Sequence, residues 1–416
     1  MRLLRSVSFM RKIRVSLLLL PLLLSGCWSS VEIHDMAVTN IMGIDINKAG
    51  EYEVTARIVR PGALFSPVMN EKIIDENQNK TIIETATGKT IYKALNQLSN
   101  SIPEKIYLGH MDTILLSKTV AREKMQQTLD FFHRENQFRP NIKLLITKEK
   151  PSEIIRTAPE FNATLGQDIL DFSKNNRNVA ANTVVDISQF MKVFTSDTAD
   201  PVTGVLTTAK KLGIKAEGEN QKLKENHKDM VTVASLFGSA IFKNGKLVGV
   251  LNENETRGLL WIRGGLKNEV IVLPCGKNQS ENVSVMIRDT QSEMIPDEKA
   301  ITKKLKVKTT IQADIGEVTC SELDLNSDTI EELNEQLETL ATREAKAILT
   351  KVKNQWQTDV FGFGEAIYRK NPSEWRKMAP TWRKDGLKNL QVEIDVDASI
   401  SRFGVHKNPS KAYESR

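Results

Sequence analysis

The side chains able to do chemistry are few in this 416-residue chain: five histidines, three cysteines and one dense run of aromatics. His34, His110, His133, His227 and His406 are scattered, none within four residues of another. No helical metal pair or zincin spacing exists, so no metal site is expected. A Gly-x-Ser-x-Gly elbow, a P-loop and a dinucleotide-binding glycine fingerprint are all missing. Acidic pairs such as Glu331-Glu332 fall on the wet face of an amphipathic stretch. No catalytic residue is therefore assigned, and the chain reads as non-enzymatic. Cys275 and Cys320 have none of the neighbours of an activated thiol. Two separate buried thiols are the preferred reading, with a disulfide left open. The remaining concentration is Phe361-Gly362-Phe363-Gly364-Glu365, followed by Trp375 and Trp382. Such residues build either a partner-binding or carbohydrate-binding surface, or a small core locking the long helix to the final strand. Phe361, Phe363, Glu365 and Trp375 are the candidates for partner contact.

The third cysteine sits in a different setting. Arg2, Arg5, Arg11, Lys12 and Arg14 precede an apolar run over residues 15–24, broken only by Ser16 and Pro21. That is the charged and apolar layout of a secretory signal, too short to span a bilayer comfortably. Its ending, Leu23-Leu24-Ser25-Gly26-Cys27, resembles the lipobox of bacterial lipoproteins. The resemblance implies cleavage of residues 1–26, a diacylglyceryl group on the Cys27 sulfur and an acyl group on its freed amine. No other cofactor is expected. Two acyl chains suffice for stable anchoring. Met1 and Met10 are both open as starts. The signal also explains the net charge of +6: its five basic residues leave 53 basic against 52 acidic side chains. A balance of +1 gives no electrostatic case for nucleic acid.

The elements that must position these residues alternate. Residues 36–46 and 52–58 read as an antiparallel hairpin, 81–85 as a strand, and Ile91, Ala94, Leu95 and Leu98 as one face of a helix. A buried strand is expected over 106–116, a helix over 120–134, a strand over 142–146 and a short helix from Pro151. Residues 195–201 are small and polar and 209–229 are rich in lysine, which suggests a boundary or an exposed excursion. Asn244-Gly245 between two apolar runs predicts a type I′ hairpin. A long helix over 329–356, with Asp328 as its N-cap, and an alternating strand over 390–400 predict a broad antiparallel sheet crossed by a helix. The fold class is mixed α/β (α+β): three small domains after the signal, each a sheet with packed helices, over 27–195, 196–290 and 291–416.

Several blocks together resemble one family, the Ger(x)C lipoproteins that form the C subunits of spore germinant receptors. They are Gly26-Cys27-Trp28, Gly43-Ile44-Asp45, Gly109-His110-Met111, residues 132–139, Ala240-Ile241-Phe242, Lys246-Leu247-Val248-Gly249, residues 252–257, and 359–367 with Trp375 and Trp382. The resemblance implies a lipid-anchored protein on the outer surface of the spore inner membrane, without enzymatic activity. It also implies integral membrane A and B subunits as partners, in a complex that senses nutrients. The alternative is a solute-binding lipoprotein delivering a ligand to a membrane transporter.

Overall fold

The computed structural model describes residues 36–59, 81–162, 164–175, 179–212, 230–275, 281–301, 303–320 and 323–401. The signal segment, Cys27 and most of the lysine-rich stretch lie outside the described residues.

β1 (Met36–Ile46) turns back into β2 (Tyr52–Val59), with Ile44 opposite Val54 in the expected antiparallel hairpin. Asn47 closes the turn, its side-chain oxygen accepting the amides of Ala49 and Glu51. β3 (Thr81–Gly88) extends that edge. Thr90 caps α1 (Ile91–Asn100), which buries Ile91, Ala94 and Leu98 as its spacing predicts. The strand expected over 106–116 is two, β4 (Lys105–Tyr107) and β5 (Thr113–Ser117), both parallel to β1. Between them the chain turns, Met111 N bonding to Leu108 O and Asp112 N to Asn40 O. The helix expected over 120–134 is also two, α2 (Lys118–Glu123) and α3 (Met125–Arg134), parted where Lys124 leaves helical φ at −129°.

β6 (Lys143–Thr147), α4 (Pro151–Ile155), α5 (Leu165–Asn175), β7 (Val185–Asp186), α6 (Ile187–Phe194), β8 (Val202–Leu212), β9 (Met230–Lys243) and β10 (Lys246–Leu251) complete the first sheet. Its order is β10-β9-β8-β6-β5-β1-β2-β3, with β4 on β1 and β7 on β6. β1, β5, β6 and β8 are parallel neighbours. α1, α2, α3 and α6 cover one face, α4 and α5 the other. Runs such as Leu144-Leu145-Ile146 are buried on both sides, as a parallel core strand must be. At the β9–β10 turn Asn244 and Gly245 take φ of 49° and 77°, the two positive values the hairpin requires.

α7 (Glu253–Arg263) leads to a second sheet of β11 (Glu269–Pro274), β12 (Asn282–Pro296), β13 (Lys304–Val318) and β14 (Gln391–Ser401), in that order. Between β13 and β14 run α8 (Ser327–Lys351), α9 (Phe363–Lys370) and α10 (Pro372–Thr381). β11, β12 and β13 are antiparallel, but β14 lies parallel to β13. The expected wholly antiparallel sheet is thereby corrected: a 25-residue helix between adjacent strands carries the chain back to its starting end. The N-cap of α8 is Asn326 rather than Asp328, its side chain accepting from Thr329 N.

The mixed α/β class stands, but the middle domain expected over 196–290 has no sheet of its own. β8 pairs with β6, Ile146 opposite Val205, so the proposed boundary at 195 falls inside one continuous sheet. The backbone edge of β6 needs a partner, and β8 to β10 supply it. Val202, Ile241 and Leu251 of the first sheet also share a core with α7, α8 and the second sheet. Cys275 and Cys320 are bridged, their Cα atoms 6.4 Å apart, which replaces the reading of two separate thiols. Pairing of Cys275 N with Glu281 O and of Thr319 N with Asn282 O brings the two ends together.

Candidate functional site

The residues singled out near the C-terminus meet a loop more than 150 positions away. Residues 195–201, between α6 and β8, close on residues 357–362, ahead of α9. Asp200 N donates to Asp359 O at 2.9 Å, and Asp359 N returns to Asp200 Oδ2 at 3.3 Å. The Thr358 hydroxyl lies 2.7 Å from Asp200 Oδ2 and 2.7 Å from Phe242 O. Asn244 N donates to Asp200 Oδ1, and Arg383 Nε stands 3.7 Å from the same oxygen. Arg383 also donates to the carbonyls of Ser196 and Ala199.

Asp359 is the hub. Its Oδ1 accepts the amides of Gly362 and Phe363, and its Oδ2 accepts Gly364 N at 2.7 Å and Trp382 Nε1 at 3.2 Å. A buried carboxylate at the start of α9 satisfies amides that the helix itself leaves unpaired. Burial nevertheless pushes this carboxyl up to about 6, against the three amide bonds that pull it down, and the nearby Asp200 adds to the rise. All four oxygens of the two carboxylates are engaged by donors of the chain, which leaves neither free to act as acid or base on a substrate. The arrangement holds elements together.

The four candidates for partner contact sit within this latch. Phe361, Phe363 and Trp375 are 3%, 0% and 2% exposed, so they fill a core and offer no surface to a partner. The Phe361 and Phe363 rings stack at 5.1 Å, and Trp375 meets Trp382 edge to face at 5.4 Å. Trp375 Nε1 approaches Asp197 Oδ2 at 3.4 Å. Glu365 is half-buried and accepts the Thr198 hydroxyl at 2.8 Å. Gly364 allows the close approach: a Cβ there would lie 2.7 Å from the Trp375 ring, 2.8 Å from Trp382 Nε1, and nearer still to Thr198 O. The packing alternative therefore describes these residues: Phe361, Phe363 and Trp375 belong to the core shared by α8 and β14, and Trp375 and Glu365 also bond to loop 195–201.

A second latch joins α7 to α8. Arg257 donates from Nε and Nη2 to the two Glu344 oxygens, and from Nη1 to Glu269 Oε1 at 3.2 Å. Trp261 Nε1 adds a bond to Glu344 Oε2 at 2.9 Å. Hydrogen bonding to Glu344 holds the Arg257 pKa up, while burial raises that of Glu269. Sequence reasoning missed Asp200, Thr358, Arg383 and Glu344 altogether. Single polar residues in loops or on a helix carry no periodic signal, and only their partners reveal them.

Lipidation at Cys27 concerns a residue outside the described ones. Among the described residues no group of three His, Cys, Asp or Glu side chains is placed to hold a metal. No helix among them is long and apolar enough to cross a membrane.

Both halves of this architecture match models of one family. Residues 29–208 match the spore germination protein N-terminal domain, and residues 237–404 match the spore germination B3/GerAC-like C-terminal domain. The chain belongs to the Ger(x)C family of spore germination proteins. The two matches part at the β8–β9 connection, where the sheet itself is continuous. Relatives in Bacillus subtilis (strain 168) align over nearly their whole length. Spore germination protein KC is 24% identical over 409 residues, covering 95% of this chain and 97% of the relative. Spore germination protein A3 is 24% identical over 404 residues (94% and 98%), and spore germination protein B3 is 20% identical over 397 residues (92% and 95%). The crystal structure of the GerBC protein aligns with a TM-score of 0.49 at 17% identity, covering 86% of this chain and 96% of that one. This Ger(x)C chain thus falls among germinant receptor C subunits, a family of receptor components and not of known enzymes.

Proposed function

We propose that this chain is a non-enzymatic, lipid-anchored subunit of a nutrient germinant receptor. In this reading Cys27 carries the diacylglyceryl and N-acyl chains and holds the protein on the outer surface of the spore inner membrane. There it works with integral membrane A and B subunits as a component required for assembly or for signal coupling. The observation that carries the reading is the match of both family models, in order, along most of the chain. The latch supports a scaffold role, since its buried carboxylates serve the chain's own backbone. A solute-binding lipoprotein would be built as two similar lobes about a cleft. The described residues instead form sheets of ten and four strands.

The test is germination of spores lacking the gene, or carrying Cys27→Ala, with nutrients and with a non-nutrient trigger. Loss of one nutrient response with the non-nutrient response intact is the expected result. A normal response to every nutrient, in a strain with no second receptor of the same specificity, overturns the proposal.

A further inference from the structure

Three parallel strands of the first sheet end level with one another, and each hands the chain to a cation. Ile44, Leu116 and Ile146 are neighbours in register across β1, β5 and β6. Lys118 and Lys148 directly follow β5 and β6, and Lys48 stands two residues past β1. Lys150 lies just beyond Lys148, and Arg122 lies one helical turn after Lys118 on α2. All five line an open cleft of about 900 Å³. Its volume lies in the range of small-molecule sites, and its position at the carboxyl ends of parallel strands is where open α/β sheets hold ligands.

The charge of the cleft is unbalanced. Lys148 lies over the Phe237 ring, 3.9 Å from its centroid. Lys48, Lys118, Arg122 and Lys150 make no ion pair among the described residues. Three carboxylates share the cleft, Asp45, Glu53 and Glu149. Glu149 accepts the Thr207 hydroxyl and Thr208 N, while Asp45 accepts the amide of Ile46 and stands opposite Glu53 across the β1–β2 pair. Five cations against three carboxylates leave the lining with an excess of two positive charges, and that excess raises the local potential and draws an anion in.

We propose that this cleft binds a small phosphate-bearing anion, either free in solution or as the headgroup of an anionic lipid. A multiply charged oxyanion suits it because the cations come from three separate segments, and a monocarboxylate would engage only one or two of them. The inference rests on the cleft alone and is independent of the receptor role.

The experiment is calorimetric titration of the full chain, held in phosphatidylcholine nanodiscs, with sodium pyrophosphate as the probe. Wild type is expected to bind saturably. Lys118→Glu/Arg122→Glu, which reverses two charges of the lining, is expected to bind at least about tenfold more weakly. Lys148→Gln/Lys150→Gln is a second, milder variant with the same direction, and thermal unfolding confirms that each is folded. Arg139→Glu/Lys192→Glu, outside the cleft, should keep wild-type affinity. Replacing a third of the lipid by phosphatidylglycerol identifies the source: weaker pyrophosphate binding means headgroups occupy the cleft, and unchanged binding means a free anion. Either result supports the site. Absence of saturable binding by wild type in phosphatidylcholine, or equal binding by wild type and both cleft variants, overturns it.

Discussion

Asp359 gives the sharpest test of the latch, because its burial and its donors pull in opposite directions. The perturbation is Asp359→Asn, which keeps the shape and removes the charge. In the wild type the folded carboxyl titrates near 6, against 3.8 for the free side chain. Between those values the native state holds a proton that the unfolded chain has lost, so stability from this group falls as pH rises. The contribution is fully present below about pH 4 and lost once pH passes about 6. A difference of about 2 pH units at 1.36 kcal/mol each makes the swing about 3 kcal/mol. The side chain is 3% exposed, so solvent screening does little to reduce it. The assay is urea unfolding of both proteins from pH 4 to 7.5, followed by tryptophan fluorescence, since Trp375 and Trp382 pack in the latch. The stability of wild type minus that of Asp359→Asn should decline by about 3 kcal/mol across that range. Curves that stay parallel would refute the reasoning. A difference that grows with pH would mean that the three amides and the indole outweigh burial and hold the carboxyl below its usual value.

Three further outcomes follow from the packing. Gly364→Ala places a methyl against Thr198 O and two indole rings, and backbone cannot yield as a flexible side chain would; a loss of about 2–3 kcal/mol is expected in denaturant unfolding. Glu344→Ala leaves the 15%-exposed Arg257 without its bidentate partner and should cost about 3 kcal/mol or more, whereas Glu344→Gln, which keeps an acceptor for Trp261, should cost less. Reducing the Cys275–Cys320 bridge releases a loop of 45 residues, for which chain entropy predicts a loss of about 4 kcal/mol, read as a lower unfolding midpoint with reductant and no change in a Cys275→Ser/Cys320→Ser variant.

What was legible in the residues was local. The β1–β2 and Asn-Gly hairpins, the stripe of α1 and the alternation of β13 all report their own surroundings, because a period of 2 or 3.6 records which face is buried. The direction of β14 was not legible, since its alternation is the same whichever way its neighbour runs. The polar stretch 195–201 misled for a related reason. Thr198 and Asp200 are 5% and 3% exposed, yet their composition is that of a linker. Their burial is tolerable because Thr358, Asp359, Asn244 and Arg383 arrive from elsewhere in the chain to satisfy them. The aromatic run stands out in the sequence, but the polar partners of Trp375 and Glu365, Asp197 and Thr198, lie in that same loop, whose composition suggests an exposed linker.

The contacts across the two sheets bear on how the proposed anchored subunit would transmit a signal. Separating the two sheets would strip Asp200 of the Thr358 hydroxyl and the Asp359 amide, break the Thr198–Glu365 bond and expose a core to which both sheets contribute. Hydrogen bonds to charged groups contribute roughly 1.5–3 kcal/mol each, so losing several together approaches the whole stability of an ordinary domain. A hinge between the halves that the family models divide is therefore disfavoured. On the proposed role, the more economical route is movement of the described residues as one body against the membrane partners. The polar cleft at the ends of β1, β5 and β6 is open without any such separation. A ligand there would change the charge presented to those partners while both latches stay closed.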